Sequence, residues 1–238
     1  MMADFPVNLG RVPLAHLPTP VEAMPRLSRE LGGATLWVKR DDQTGLAGGG
    51  NKTRKLEFLV ADALAQGADT LVTAGAAQSN HCRQTAAAAA RVGLGCVLVL
   101  GGQPPDGAPT GNLLLDTLLG AEIRWCGPHR RGEELERVAD ELRAAGRRPY
   151  VIPYGGSNAL GAAAYALAMH ELAAQLSDHP PLHAIDRIVI ASSSGATQAG
   201  LVVGARRVGY RGQILGIAID KGEAGDDPYP VHLARLAN

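Results

Sequence analysis

Short apolar runs alternate with helical segments along most of the chain. Strands are predicted at 35–40, 70–75, 96–101, 121–126, 150–154, 187–192 and 213–219, and helices near 52–66, 80–92, 111–119, 132–145, 159–177 and 197–208. Such alternation is typical of parallel sheets covered by helices. The nearly continuous apolar runs at 97–100 and 188–190 also predict strands that are buried on both faces. The sequence therefore predicts an α/β fold.

Composition narrows the class of protein. Of 238 residues, 46% are hydrophobic and 19% are charged, and the formal net charge is zero, so a nucleic-acid partner is not expected. No apolar stretch is long enough to span a membrane, and no signal-peptide pattern stands at the N-terminus. Three cysteines without metal-type spacing predict reduced thiols, no metal site and a cytoplasmic location.

A glycine-rich turn, Gly-Gly-Gly-Asn-Lys-Thr-Arg-Lys at 48–55, places Lys52 and Lys55 where a helix is predicted to begin. Only four of the 23 basic residues are lysines, and the positive end of the helix dipole disfavours cations at this position. The same field favours a neutral, nucleophilic amine. A nucleotide P-loop is disfavoured because Asn51 and Leu46 stand where that motif needs glycine. A junction with merely solvated lysines is the simpler alternative.

A second turn follows the predicted strand 70–75, with Gln78, Ser79, Asn80 and His81 in succession. The backbone N–H groups at the start of the next helix can bind a carboxylate. Ser79 and Asn80 are also ordinary helix-capping residues. His81 is expected to pack or to orient its neighbours rather than to act directly in catalysis.

A third turn, Ser-Ser-Ser-Gly-Ala-Thr-Gln-Ala-Gly at 192–200, joins a strand to a helix. Hydroxyl groups and free N–H groups there form a cup for a phosphate monoester, and the missing G-x-G-x-x-G pattern disfavours a dinucleotide. A lysine, a carboxylate-binding helix start and a phosphate cup together fit pyridoxal 5'-phosphate acting on an amino acid. A sugar- or nucleotide-phosphate enzyme that uses the cup alone is an alternative.

These motifs strongly resemble the tryptophan-synthase-β-like (fold type II) pyridoxal-phosphate enzymes. Within them, the chain is similar to the D-cysteine desulfhydrase and 1-aminocyclopropane-1-carboxylate deaminase family. The segments that carry the resemblance span nearly all of the chain and keep the family's order: 17–22, 38–42, 48–59, 67–87, 150–161 and 192–200.

The resemblance implies roles for individual residues. Lys52 matches the lysine that holds the cofactor as a Schiff base and removes the Cα proton, so the candidate catalytic residues are Lys52 and Ser79. Lys55 matches a phosphate-contacting lysine, and Asn80 matches the residue that bonds the cofactor's phenolic oxygen. Gln78, Ser79 and Asn80 match the substrate-binding turn. The residues that match the phosphate cup are Ser194, Gly195, Ala196 and Thr197.

The resemblance also implies the domain organisation. Two three-layer α/β/α domains with mostly parallel sheets are expected: a large cofactor domain at 1–52 and 161–238, and a small domain at 53–160. The family continues well beyond the position of Asn238, so the large domain is expected to be incomplete at its C-terminal end. In its full-length form a homodimer is expected.

The activity implied for the family is β-elimination on a small amino acid. The expected reaction converts D-cysteine to pyruvate, sulfide and ammonia. L-cysteate sulfo-lyase is the first alternative, because the segments at 15–20 and 40–55 also resemble that branch, and 1-aminocyclopropane-1-carboxylate deaminase is the second. A truncated, inactive ligand-binding form is the non-enzymatic alternative.

Overall fold

The structure, a computed structural model, describes residues 9–176, 184–219 and 229–237. Its strands are β1 (Val21–Ala23), β2 (Trp37–Lys39), β3 (Thr70–Ala76), β4 (Gly95–Gly101), β5 (Glu122–Trp125), β6 (Pro149–Val151), β7 (Arg187–Ser192) and β8 (Gln213–Ala218). Its α-helices are α1 (Pro25–Leu31), α2 (Lys52–Ala65), α3 (Asn80–Val92), α4 (Gly111–Leu118), α5 (Leu135–Ala144), α6 (Ala159–Gln175), α7 (Ala196–Arg207) and α8 (Tyr229–Ala237).

The chain divides into two compact units. The first comprises Met1–Leu14 and Lys52–Gly156, and the second comprises Ala15–Asn51 and Ser157–Asn238. The domain limits at 52/53 and 160/161 stay a prediction.

The first unit is built on a four-stranded parallel sheet in the order β5-β4-β3-β6. Side chains alternate along a strand between the two faces of the sheet, so each strand contributes residues to the core on both faces. One face packs against the apolar stripe of α5, in a cluster of Val72, Ala74, Val97, Val99, Leu135, Val138 and Leu142. Leu71, Leu98 and Leu100 alternate with those strand residues and are also fully buried. The run at 97–100 is therefore buried on both faces, as the sequence predicts.

The second unit contains an antiparallel pair, β1 with β2, and a parallel pair, β7 with β8. Helices α6 and α7 pack closely on each other, and Gly200 permits this approach. A Cβ atom at Gly200 would lie 2.1 Å from the carbonyl oxygen of Ala162. The core beneath the helices contains Tyr165, Ala168, Met169, Leu201, Ala205 and Tyr210, with Ile188, Ile190 and Ile214 packed against it.

The prediction that the run at 188–190 is buried on both faces is wrong for the part of the chain that the structure describes. Ile188 and Ile190 face α6 and α7, whereas Val189 between them is 59% exposed. On β8, Leu215 and Ile217 are about half exposed. The reason is that the described helices cover one face of the β7–β8 pair.

The predicted α/β alternation is confirmed, with shorter strands at several places. The strand predicted at 150–154 ends at Val151, and a 3-10 turn occupies Tyr154–Gly156. The short β1 and α1 and the final helix α8 were not predicted. Among the described residues, no helix is both long and apolar enough to cross a membrane.

Candidate active site

The glycine-rich turn before Lys52 has a backbone that only glycine tolerates easily. Gly48, Gly49 and Gly50 all have positive φ angles, which L-residues with a side chain rarely adopt. At Gly49 space is lacking as well, because a Cβ atom there would lie 2.0 Å from the carbonyl oxygen of Asp42. The hydroxyl of Thr44 accepts from Gly50 N at 2.8 Å and donates to Gly50 O at 2.9 Å. These contacts fix the chain immediately before Lys52.

Burial is the main cause of the lowered pKa of both lysines. It lowers the pKa of Lys52 to about 8. The pKa of Lys55 is held well below its usual value, first by burial and then by the charge of Lys52. The predicted direction of the shift is therefore confirmed for Lys52, but its cause is burial rather than the helix dipole. Lys55 is only 1% exposed, and its Nζ donates to the carbonyl oxygen of Gly155 at 3.1 Å.

His81 lies buried close to Lys55. The Thr73 hydroxyl donates its single proton to the carbonyl oxygen of Ile152, so it must accept from Nε2 of His81, 2.8 Å away. Nδ1 of His81 is then an acceptor, and no described residue bonds to it. Burial and the charges of Lys52 and Lys55 hold the pKa of His81 well below its usual value. His81 is thus a neutral, oriented side chain.

The turn before α3 combines helix capping with a polar network. Ser79 caps α3, since its hydroxyl oxygen accepts from Cys82 N at 3.2 Å. Gln78 points its amide toward the start of α4, where it bonds Thr110 O and Asn112 N. Asn80 is exposed, and its Oδ1 accepts from Arg83 and Asn112. Ser79 and Asn80 therefore lie together at the start of α3, whereas the Gln78 side chain is bonded to the segment that begins α4.

The hydroxyl-rich turn lies in the second unit, at the N-terminus of α7. Gly195 has a φ of 94°, and a Cβ atom there would lie 3.1 Å from His232 and Leu233 of α8. Ser157 Oγ donates to Ser194 Oγ at 2.7 Å, and the ring Nε2 of His232 lies 3.0 Å from Ser194 O. The turn is a narrow backbone cradle at a helix start, a geometry suited to an anion.

Sequence reasoning did not identify a supporting network around Asp41 in the second unit. Thr19 Oγ1 donates to Asp41 Oδ1 at 2.8 Å. The hydroxyl of Tyr165 donates to Asp41 Oδ2 at 2.7 Å and lies 3.2 Å from the carbonyl oxygen of Asn51. Asn51 Nδ2 in turn lies 3.5 Å from Thr197 Oγ1. One signal was present, because Tyr165 is a lone aromatic residue in the alanine-rich helix α6.

Comparison with known proteins decides the family. The sequence model of the pyridoxal-phosphate dependent enzymes matches residues 12–229. The chain belongs to this family. Its fold is of the tryptophan-synthase-β-like type, and the family's cofactor is pyridoxal phosphate.

Individual relatives agree with this assignment. The chain is 46% identical over 234 residues to a D-cysteine desulfhydrase of Klebsiella pneumoniae (strain 342), covering 95% of this chain and 70% of that protein. It is 44% identical over 237 residues to a D-cysteine desulfhydrase of Yersinia enterocolitica, covering 98% and 69%. A solved structure of an ACC deaminase homologue superposes with a TM-score of 0.86 at 40% identity, over 97% of this chain and 68% of that one.

Each unit, taken by itself, contains residues whose chemistry suits the family's cofactor. The first unit offers a partly buried lysine, Lys52, whose pKa is lowered to about 8 by desolvation. The second unit offers the cradle at Gly195, where a side chain would fill the space. The roles assigned to Lys52, Lys55, Gln78, Ser79 and Asn80, and to the cup at 194–197, remain predictions.

Proposed function

We propose that this chain carries the active-site residues of a pyridoxal-phosphate-dependent lyase that converts D-cysteine to pyruvate, sulfide and ammonia. The observation that supports this most is the partly buried position of Lys52, where desolvation lowers its pKa to about 8, in a chain 46% identical to a D-cysteine desulfhydrase. At pH 8 about half of such an amine is neutral and able to take a proton.

Lys52 holds the cofactor and takes the Cα proton of the substrate. The cofactor, when bound, supplies an electron sink for the carbon that loses this proton. Lys52 is the first residue of α2, and the Thr44 hydroxyl holds Gly50 in the loop that precedes it. Lys55, with its lowered pKa and one carbonyl partner, is a buried donor for the cofactor's phosphate.

Ser79 and its neighbours bind the substrate. The N-terminus of α3 carries N–H groups that suit a carboxylate, and Ser79 caps this helix. Asn80 would donate from its amide nitrogen to the cofactor's phenolic oxygen. Gln78 bonds Thr110 and Asn112 of the adjacent segment. The phosphate is held by the cup, which comprises Ser194, Gly195, Ala196 and Thr197.

The reaction balances without an external oxidant or reductant. The Cα–H bond breaks, its electron pair forms a double bond to Cβ, and the Cβ–S bond breaks to release sulfide. The resulting enamine takes up a water molecule and loses ammonia to give pyruvate. The net change is D-cysteine plus water to pyruvate, hydrogen sulfide and ammonia.

The proposal also covers the domain limits, the cellular location and the oligomeric state. The large domain comprises 1–52 and 161–238, and the small domain comprises 53–160. We further propose that the enzyme is cytoplasmic and a homodimer.

Product analysis tests the proposed substrate against the alternatives. The purified chain is incubated with pyridoxal phosphate and, separately, D-cysteine, L-cysteate or 1-aminocyclopropane-1-carboxylate. Sulfide and pyruvate from D-cysteine support the proposal, and no product from the Lys52→Ala variant is expected. Sulfite from L-cysteate, or a four-carbon oxo acid from the cyclopropane substrate, in place of sulfide would assign the alternative activities. Absence of turnover with all three would favour the inactive ligand-binding form.

A further inference from the structure

The amide of Asn80 is held in one orientation by residues that the family resemblance does not single out. We propose that Asn112, at the start of α4, is a positioning residue that keeps Asn80 with its Nδ2 free to donate to the cofactor's phenolic oxygen. This inference rests on the proposed function, which gives Asn80 that role. All the residues that carry it lie in the first unit.

The contacts of Arg83 identify the oxygen atom in the side-chain amides of Asn80 and Asn112. A guanidinium group donates hydrogen bonds and cannot accept them. Its Nη1 lies 3.2 Å from Asn80 Oδ1 and 2.7 Å from Asn112 Oδ1. Both asparagines must therefore turn an oxygen toward Arg83, and the reverse amide orientation would place donor against donor.

Asn112 then fixes Asn80 from a second side. With its oxygen toward Arg83, its Nδ2 donates to Asn80 Oδ1 at 2.9 Å and to the carbonyl oxygen of Gln78 at 2.8 Å. Asn80 Oδ1 consequently receives two hydrogen bonds, which match the two lone pairs of an amide oxygen. Among the described residues, none accepts from Asn80 Nδ2, so the nitrogen is the end of the amide left for a ligand.

The side chain of Gln78 holds the backbone around Asn112 in place. Gln78 Oε1 accepts from Asn112 N at 2.8 Å, and Gln78 Nε2 donates to Thr110 O at 3.0 Å. Gly111 lies between these two contacts with a φ of 58°, and a Cβ atom there would be 2.6 Å from Gln78 Oε1. The segment 110–112 is thus held against the turn at 78–80 by hydrogen bonds.

The chemical consequence concerns the charge on the phenolic oxygen. An N–H donor stabilises an oxygen in its deprotonated form, whereas an amide oxygen in the same place would repel it. By fixing the Asn80 amide, Asn112 would favour the anionic form of the phenolic oxygen when the cofactor is bound.

The test compares two changes at Asn112 that differ in kind. Asn112→Asp keeps the size of the side chain but places a carboxylate oxygen against Asn80 Oδ1 and Gln78 O, which favours reversal of the Asn80 amide. Asn112→Ala removes the contact without favouring reversal. Thr117→Val is the matched control on α4, because the Thr117 hydroxyl donates to Leu113 O within the helix. The readouts are the affinity for pyridoxal phosphate and the pH at which the absorption of the bound cofactor changes.

We expect Asn112→Asp to weaken cofactor binding by roughly ten- to a hundredfold, the range for a lost hydrogen bond to a charged group. It should also move the absorption transition to higher pH, with a smaller shift for Asn112→Ala and none for Thr117→Val. In an Asn80→Ala background, Asn112→Asp should have little further effect. A merely structural role predicts the opposite order, with Asn112→Ala the more harmful change, and that result would overturn the proposal.

Failure of the proposed function gives a different result, namely no absorption band of a lysine-bound cofactor in the parent chain. The orientation of Asn80 is then tested in the cofactor-free protein by NMR. The side-chain NH2 signals of Asn80, assigned by their loss in Asn80→Asp, should shift in Asn112→Asp and stay unchanged in Thr117→Val. Unchanged signals in Asn112→Asp would also overturn the proposal.

Discussion

Lys52 and Lys55 lie one helical turn apart at the start of α2, and the charge of Lys52 adds to burial in lowering the pKa of Lys55. Two cations in this arrangement oppose each other's protonation. An anionic group bound nearby would relieve that opposition. Repulsion between the two lysines therefore destabilises the cofactor-free protein. Binding of a phosphate would remove this destabilisation.

Replacing Lys55 should separate stability from binding. Lys55→Met keeps the apolar stem but removes the buried amine. The free energy of unfolding of the cofactor-free variant should therefore be about 1–3 kcal/mol higher than that of the parent at pH 7. Affinity for pyridoxal phosphate should fall at the same time, because the phosphate loses a donor. Urea unfolding and cofactor titration measure the two effects. A loss of stability together with unchanged affinity would contradict the role given to Lys55.

The pH dependence of stability should carry the signature of Lys52. Its pKa is about 8 in the folded chain, against an ordinary value of 10.5. Between these pH values the unfolded chain binds the extra proton, so the free energy of unfolding should rise with pH, by less than about 1.4 kcal/mol per pH unit. Below pH 8 the contribution should be constant. Comparison with Lys52→Met isolates it, and parallel curves for the two proteins would show that Lys52 has an ordinary pKa.

Two neighbouring glycines give a matched test of the turn before Lys52. Both have positive φ angles, but only Gly49 also lacks space for a Cβ atom, whereas Gly48 has nothing within 4 Å. Gly48→Ala should cost about 1–2 kcal/mol from backbone strain alone. Gly49→Ala should cost about 1–3 kcal/mol more, from the collision with Asp42. Thermal unfolding of both variants checks this, and equal losses would refute the close approach at Gly49.

The thiols should differ in reactivity. Cys82 and Cys96 are buried, and burial raises the pKa of Cys82 to about 12, whereas Cys126 is partly exposed. Since the thiolate is the reactive form, iodoacetamide at pH 8 should label Cys126 at least about tenfold faster than either of the others. Peptide mass spectrometry after short labelling gives the order. Rapid labelling of Cys82 would mean that the start of α3 is open to solvent.

Local patterns made much of the fold predictable. The apolar runs of β3 and β4 and the cap at Ser79 carry their structural signal in adjacent residues, and the structure follows them. Likewise the glycine-rich turn points to Lys52 without any knowledge of its neighbours. The exposed face of β7 was not predictable, because an apolar run shows the character of a strand but not which faces its neighbours cover.

The contacts around the candidate site were harder to foresee because they join residues distant in sequence. Asn112 bonds Asn80 across 32 positions, and Tyr165 bonds Asp41 across 124. No periodic or capping pattern connects such pairs. The cause of the lysine pKa shift was missed for the same reason, since burial depends on the folded surroundings rather than on the helix start alone.

The most direct test of the central claim is chemical trapping of the cofactor. The chain is incubated with pyridoxal phosphate, reduced with borohydride and digested, and the modified peptide is sequenced by mass spectrometry. The account predicts one added cofactor on Lys52, and none in Lys52→Ala. A cofactor found on Lys55 instead, or equal modification of the parent and Lys52→Ala, would contradict it.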